Sequence, residues 1–187
     1  MAAPILILGI GNVLMGDEGI GVHAIEALGR EAWAPDVALV DGGTGGFHLL
    51  SYLQDFPSIV MIDATSDGQP AGTVCVLRPK YASDFPRSLT AHDIGLRDLV
   101  ETAALLGTLP DITLVTVSID EVRAMVTTLS PPVAASLCGL RQIVRTLVGD
   151  PGSEDPGLHS AGLDAAGSNP DATRWSPGSS DPGHAHA

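Results

Sequence analysis

Short apolar runs that end at a glycine or an aspartate alternate with helical segments along this chain. Ile5–Leu8 is a continuous apolar run closed by Gly9, and Ser58–Ile62 is a second run followed by Asp63. Runs of this kind are typical of parallel strands that are covered on both faces. The alternation with helical segments therefore predicts a layered α/β fold.

The pattern predicts five strands and four helices. The strands are Ile5–Leu8, Val37–Val40, Ser58–Ile62, Thr73–Leu77 and Ile112–Val117, and the helices are a first one that ends before Pro35, then Phe47–Leu53, 91–106 and 130–148. Asp17 is the expected N-cap of the first helix, and Thr90 with Asp93 forms a variant capping box before the third. The turn before Thr73–Leu77 is too short for a crossover helix, so this strand is expected to run antiparallel at an edge. We expect a three-layer sandwich, with a mostly parallel five-stranded sheet and helices on both faces.

Composition changes sharply near Gly149. Residues 151–187 contain five prolines, six glycines and six serines and no hydrophobic periodicity, so we expect a disordered tail. Residues 1–150 are expected to form one α/β domain. This domain carries 8 basic and 17 acidic side chains, a net charge of −9 at pH 7.

Charge and hydropathy exclude several classes of protein. The whole chain has a net charge of −13 and a single lysine, Lys80, so it lacks the basic surface that nucleic acids require. The first apolar run is too short for a signal peptide or a membrane span. Cys75 and Cys138 are 63 residues apart, which argues against a disulfide framework or a thiolate zinc site. We expect a cytoplasmic protein.

Two carboxylates and one imidazole follow strands or begin helices in the predicted fold. If the strand order is 2-1-3, as in flavodoxin-like sheets, Glu18 and Asp63 become neighbours, and His92 could close a third side. Such a set suits a borderline divalent ion such as Ni²⁺ or Zn²⁺. From spacing alone, these carboxylates could equally cap loops or complement helix dipoles, and both interpretations stay open.

Four blocks of sequence resemble the hydrogenase maturation endopeptidases in order and spacing. They are the segments 8–22 (LGIGNVLMGDEGIGV), 41–46 (DGGTGG), 59–64 (IVMIDA) and 90–96 (TAHDIGL). The resemblance covers roughly residues 4–148, and four ordered blocks are far more specific than a lone G-x-G. One departure is the stretch Val117–Glu121, where family members often carry a glycine and a proline.

The resemblance implies an endopeptidase that removes the C-terminal extension of a nickel–iron hydrogenase large-subunit precursor after nickel insertion. It makes Glu18, Asp63 and His92 both the catalytic residues and the ligands of nickel, which the precursor supplies. We expect the protein to act as a monomer.

The glycine-rich segment after the second strand has a physical interpretation of its own. Gly42, Gly43 and Gly45 permit positive φ and a close backbone approach, so with Thr44 they could bind an extended peptide of the substrate. A tight turn without any substrate contact is the alternative.

Two other functions compete with the protease. A non-catalytic nickel-binding maturation chaperone would use the same three ligands. Gly9 and Gly11 also suggest dinucleotide binding, but Leu14 replaces the third glycine. In addition, Asp17 and Glu18 would repel a pyrophosphate at the helix N-terminus.

Overall fold

The computed structural model describes residues 4–81, 84–86, 89, 96–107, 109–149 and 173–175. The strands are β1 (Ile5–Gly9), β2 (Val37–Asp41), β3 (Ser58–Thr65), β4 (Val74–Leu77), β5 (Asp111–Ser118) and β6 (Thr173–Trp175). The α-helices are α1 (Ile20–Leu28), α2 (Leu50–Asp55), α3 (Leu96–Leu105) and α4 (Pro131–Leu147), and short 3₁₀ turns at Gly16–Gly19 and Phe47–Leu49 precede α1 and α2. The five predicted strands and four predicted helices are confirmed, the third helix from Leu96 onward, since residues 91–95 of its predicted range lie outside the described residues.

The sheet has the strand order β2-β1-β3-β5-β4-β6. Strand β1 is parallel to β2 and β3, and β3 is parallel to β5, whereas β4 is antiparallel to β5. The predicted 2-1-3 order and the antiparallel orientation of β4 are confirmed. Strand β4 was expected at the edge of the sheet, but β6 pairs with it on the outer side. The remainder of the predicted tail lies outside the described residues.

Alternate residues of the central strands face two separate apolar cores. Ile7, Val60 and Ile62 pack with α1 and α4 on one face. Leu8, Met61 and their neighbours pack with α2 and α3 on the other face. Because the side chains of a strand point alternately to its two sides, this division is what a sheet covered on both faces requires. The three-layer prediction is therefore confirmed.

Glu31, just after α1, joins this helix to α4. Its carboxylate accepts hydrogen bonds from the guanidinium groups of Arg141 and Arg145, the latter through Nε at 2.7 Å. The Arg145 guanidinium also lies 4.6 Å from the centre of the Trp33 ring, within the range of a cation–π contact. The indole Nε1 of Trp33 donates to the carbonyl of Leu28 at 2.9 Å. These contacts fix α4 beside the end of α1.

The prediction that Asp17 caps α1 is wrong. Gly19 occupies the N-cap position, without a side-chain hydrogen bond, and Asp17 lies in the preceding 3₁₀ turn. The Asp17 carboxylate instead accepts a hydrogen bond from the backbone N–H of Ser130 at 2.5 Å, at the start of α4. Arg123 Nη2 lies 3.9 Å from its other oxygen. The predicted capping box of Thr90 and Asp93 lies outside the described residues.

Among the described residues, no helix combines the length and the apolar character needed to cross a membrane.

We expect Asp17→Ala to lower the free energy of unfolding by about 1–3 kcal/mol, because it removes a buried acceptor from a backbone N–H. Asp17→Asn should cost less, since its amide oxygen can still accept from Ser130. Urea denaturation measures both variants. Wild-type midpoints for both would contradict this role of Asp17.

We expect Gly21→Ala to lower the free energy of unfolding by about 1–3 kcal/mol, because two backbone carbonyls must move. A Cβ atom at Gly21 would lie 2.1 Å from the carbonyl oxygen of Ile10 and 2.5 Å from that of Ile62. Glu26→Ala, on the exposed side of the same helix, is the matched control and should change stability by less than about 0.5 kcal/mol. Equal denaturation midpoints for the two variants would contradict the tight packing.

Candidate active site

Glu18 and Asp63 lie near the carboxyl ends of the parallel strands. Glu18 belongs to the 3₁₀ turn Gly16–Gly19 that follows β1, and this turn contacts β3, the strand that carries Asp63. Strand β3 continues two residues beyond Asp63, to Thr65, so the prediction that Asp63 ends its strand is corrected. Pairing with β1 nevertheless stops one residue earlier, where Gly9 lies opposite Ile62. Asp63 therefore borders the loop that leaves β1.

Close backbone contacts fix the turn that carries Glu18. A Cβ atom at Gly11 would lie 2.1 Å from the carbonyl oxygen of Glu18, and one at Gly19 would lie 2.9 Å from the Cα of Val13. Gly11 also has a φ of 153°, which other residues rarely adopt. The glycines of this motif thus have a packing role, because the chain itself fills the space that a side chain at Gly11 would occupy.

Three carboxylates of this region are buried, with exposed fractions of 3% for Asp17, 5% for Glu18 and 1% for Asp63. A buried carboxylate is costly unless nearby groups compensate its charge. The charge of Asp17 is compensated by the backbone N–H of Ser130 and by the guanidinium of Arg123. We therefore interpret Asp17 as a residue that stabilises the fold rather than one that takes part in catalysis. Asp63 Oδ1 accepts a hydrogen bond from the backbone N–H of Ala64 at 2.8 Å, which orients its carboxylate.

The glycine-rich loop after β2 adjoins the loop that leads to Glu18. The N–H of Gly42 donates to the carbonyl of Gly9, and the N–H of Gly11 donates to the carbonyl of Gly43, both at 2.8 Å. Asp41 Oδ1 accepts from the N–H of Gly43, also at 2.8 Å. Gly43 and Gly45 have φ values of 52° and 76°. The expected left-handed backbone is present at Gly43 and Gly45, whereas Gly42, which was also expected to have it, does not have a positive φ.

Thr44 is exposed at the tip of this loop. A Cβ atom built at Gly43 would meet no protein atom within 4 Å. The loop thus presents an open backbone surface next to the segment that contains Glu18.

His92, the third predicted ligand, lies outside the described residues, so its position stays a prediction. Helix α3 is described from Leu96 onward. Within the described part of the chain, no group of three or more His, Cys, Asp or Glu side chains could hold a metal ion. Of the predicted set, the structure brings together the segments that carry Glu18 and Asp63.

Arg123 was not among the residues predicted for the site. This residue lies between β5 and α4, 3.9 Å from Asp17 and, through Nε, 3.9 Å from Glu121. Its signal in the sequence was weak, since it is a single basic residue after two acidic ones. Its effect is to join the β5–α4 connection to the turn that carries Glu18.

A family model described as hydrogenase maturation protease matches residues 22–146, a range that includes Asp63 and His92 and begins just after Glu18. The hydrogenase expression/formation protein HoxM of Azotobacter vinelandii is 37% identical over 142 residues, which are 73% of this chain and 69% of HoxM. The hydrogenase 2 maturation protease of Escherichia coli K12 is 36% identical over 109 residues, 57% of this chain and 66% of that protein. Several other curated relatives are covered over only about half of their length, as for HupD of Rhodobacter capsulatus at 52%.

The fold agrees with a solved structure of the same kind. The hydrogenase maturating endopeptidase HybD from E. coli superimposes with a TM-score of 0.72 at 30% sequence identity, covering 80% of this chain and 94% of HybD. The family match spans more than half of the chain, and the buried carboxylates lie at the strand edge where α/β proteins bind their ligands. This chain therefore belongs to the hydrogenase maturation protease family and is a protease.

Proposed function

We propose that this protease removes the C-terminal extension of a nickel–iron hydrogenase large-subunit precursor once nickel has been inserted. The observation that carries the proposal is the position of two buried carboxylates, Glu18 and Asp63, at one strand edge beside an open glycine loop. The names of the similar proteins, a hydrogenase 2 maturation protease among them, support the substrate class. We further propose a monomer that acts in the cytoplasm, as expected from the sequence.

Glu18, Asp63 and His92 are the proposed groups that contact nickel carried by the precursor. Carboxylate oxygens and an imidazole nitrogen form a donor set that suits a borderline divalent ion. The two carboxylates are held by rigid elements, one by the tightly packed 3₁₀ turn and the other by β3. Rigid placement favours discrimination between a loaded and an empty precursor, because the side chains need not reorganise on binding.

Peptide hydrolysis requires that the scissile carbonyl be positioned and that a water molecule attack it while the amine leaves. A divalent ion at this site would supply Lewis-acid polarisation of that carbonyl or activation of the water. The protein's own contribution is to hold the carboxylates in fixed positions and to orient the peptide.

The glycine loop is the proposed binding surface for the peptide next to the scissile bond. The N–H of Gly42 is bonded to the carbonyl of Gly9, and Gly45 has a φ of 76°, so these two residues set the path of the loop. Gly43 is partly exposed and Thr44 is exposed. An extended peptide can approach this backbone closely, since no side chain stands over Gly43.

The other function that fits the same ligands is a non-catalytic nickel-binding chaperone. The two functions differ in what happens to the precursor during incubation, because the protease shortens it and the chaperone leaves it uncut.

We expect Glu18→Gln, Asp63→Asn and His92→Gln each to lower the rate of processing by at least about 100-fold, the scale on which removal of one active-site group acts. A gel mobility shift of the large-subunit precursor, nickel-loaded or nickel-free, reports cleavage. The wild-type protein should cleave only the loaded precursor. Circular dichroism should show that all three variants remain folded.

Asp111→Asn is the matched control for these variants. Asp111 is an exposed aspartate at the first residue of β5, so it lies at the amino ends of the parallel strands, opposite the candidate site. The Asp111→Asn variant should process the precursor at the wild-type rate. Wild-type turnover by any of the three site variants would contradict the assigned site. An intact loaded precursor, together with nickel binding by the isolated protein, would favour the chaperone.

We expect Gly43→Asn to fold normally but to process the precursor at least about tenfold more slowly, because its side chain would occupy the space through which the peptide approaches. Asparagine tolerates the left-handed conformation, so backbone strain is a small part of the effect. Initial cleavage rates and urea midpoints are the measurements.

Gly107→Asn is the control. Gly107 has a φ of 70°, and a Cβ atom built on it would also meet no protein atom within 4 Å. It differs from Gly43 in position, because it follows α3 near the amino ends of the parallel strands. A Gly43→Asn protein with the wild-type rate would reduce the loop to a tight turn.

A further inference from the structure

Met125 combines two features that a soluble protein normally avoids. It is 85% exposed, and its φ is 62°. Among the residues that the structure describes, it is the one non-glycine residue with a positive φ. Methionine gains nothing from the left-handed conformation, which costs stability for residues with a Cβ atom. Strain of this kind is concentrated where a protein binds or reacts, so it points to a functional role of the side chain.

A second exposed apolar side chain lies on the segment that is bridged to the segment of Met125. Met15 and Val126 form an isolated parallel β-bridge, and the N–H of Gly16 donates to the carbonyl of Val126 at 2.7 Å. Leu14 and Met125 are the residues that directly precede the two bridged ones. Leu14 is 51% exposed, and Asn12 Oδ1 holds its backbone N–H at 3.0 Å. We name Leu14 and Met125 together the apolar patch.

The apolar patch is continuous with the candidate active site. The bridged segment of residues 14–16 leads directly into the 3₁₀ turn that carries Glu18. Arg123, two residues before Met125, lies within 3.9 Å of Asp17 in the same turn. A molecule that covers the patch therefore reaches the edge of the sheet at which Glu18 and Asp63 lie.

The surroundings of the patch are acidic. Asp120 and Glu121 are exposed in the same connection, and the domain as a whole carries a net charge of −9. Arg123 does not offset them as a binding group, because it already faces Asp17 and Glu121. An occupant that complements this surface presents apolar side chains flanked by basic ones.

We infer that the apolar patch is a docking surface for the hydrogenase large-subunit precursor, and that it receives an apolar segment flanked by basic residues. This inference rests on the proposed function and adds the surface on which that substrate is held. Exposed methionine is suited to such a contact, because its flexible thioether adapts to the surface of a partner.

Steady-state processing of the nickel-loaded precursor tests the inference. Met125→Glu should raise KM about tenfold or more and leave kcat unchanged, since a charge enters an apolar contact away from the carboxylates. Met125→Gly should raise KM severalfold, although its melting temperature should be equal to or a few degrees above that of the wild type, because glycine relieves the strain. A residue that served only the fold would lose stability on removal.

Two further variants sharpen the test. Leu105→Glu changes an 88% exposed leucine at the end of α3, near the amino ends of the parallel strands. Because this position is far from the apolar patch, the variant should leave KM unchanged. The double variant Asp120→Asn/Glu121→Gln should raise KM at low ionic strength, and the difference should vanish at high salt, where charges are screened.

The outcomes separate this inference from the proposed function. If the wild-type protein cleaves the precursor and both Met125 variants keep its KM, the docking surface is wrong and the protease assignment stands. If the wild-type protein neither cleaves nor binds the loaded precursor, the proposed substrate is wrong and the inference falls with it. Raised KM values for both Met125 variants, with an unchanged Leu105→Glu control, support the docking surface.

Discussion

The close approach of α1 to the ends of β1 and β3 is the constraint on which the rest of the site depends. A Cβ atom at Gly9 would lie 2.2 Å from the carbonyl oxygen of Gly21, and Gly21 itself rests on the carbonyls of Ile10 and Ile62. Because α1 packs so closely against the sheet, the 3₁₀ turn that precedes it contacts β3. The burial of Glu18 beside the strand that carries Asp63 follows from this packing.

We propose different roles for the two neighbouring carboxylates of this turn. Asp17 and Glu18 are adjacent in sequence and similarly buried. The Asp17 carboxylate contacts the start of α4 and the guanidinium of Arg123, so its charge is used to join three segments of the chain. Glu18 follows on the next residue, at the strand edge. Removing the charge of Asp17 is therefore expected to lower the free energy of unfolding, whereas removing that of Glu18 is expected to lower the rate of processing.

Much of the fold could be predicted from the sequence because the buried strands have strong local patterns. Ile5–Leu8 and Ser58–Ile62 are apolar throughout, and a parallel sheet covered on both faces is the architecture that buries such runs. The proximity of the Glu18 turn to β3 also followed, since the 2-1-3 strand order brings the carboxyl ends of β1 and β3 together.

The errors arose where distant residues decide the local structure. Asp17 has the composition of an N-cap, yet its hydrogen-bond donor is 113 positions away at Ser130. Strand β6 comes from a segment without periodicity, and only the unpaired side of β4 gives Thr173–Trp175 a partner. The exposure and strain of Met125 have no signal in the sequence, because methionine is usually a core residue. Tertiary contacts override local preference at each of these positions.

The hydrogen bonds between the glycine loop and the loop after β1 have a mechanical consequence. Gly42 is bonded to Gly9, and Gly43 to Gly11, so the two loops are joined at two points. A peptide that displaces the glycine loop must also pull on the chain that leads into the Glu18 turn. If the glycine loop binds the peptide as we propose, these main-chain bonds would transmit its occupancy to the turn that carries Glu18, and the position of this carboxylate would depend on whether a peptide is in place.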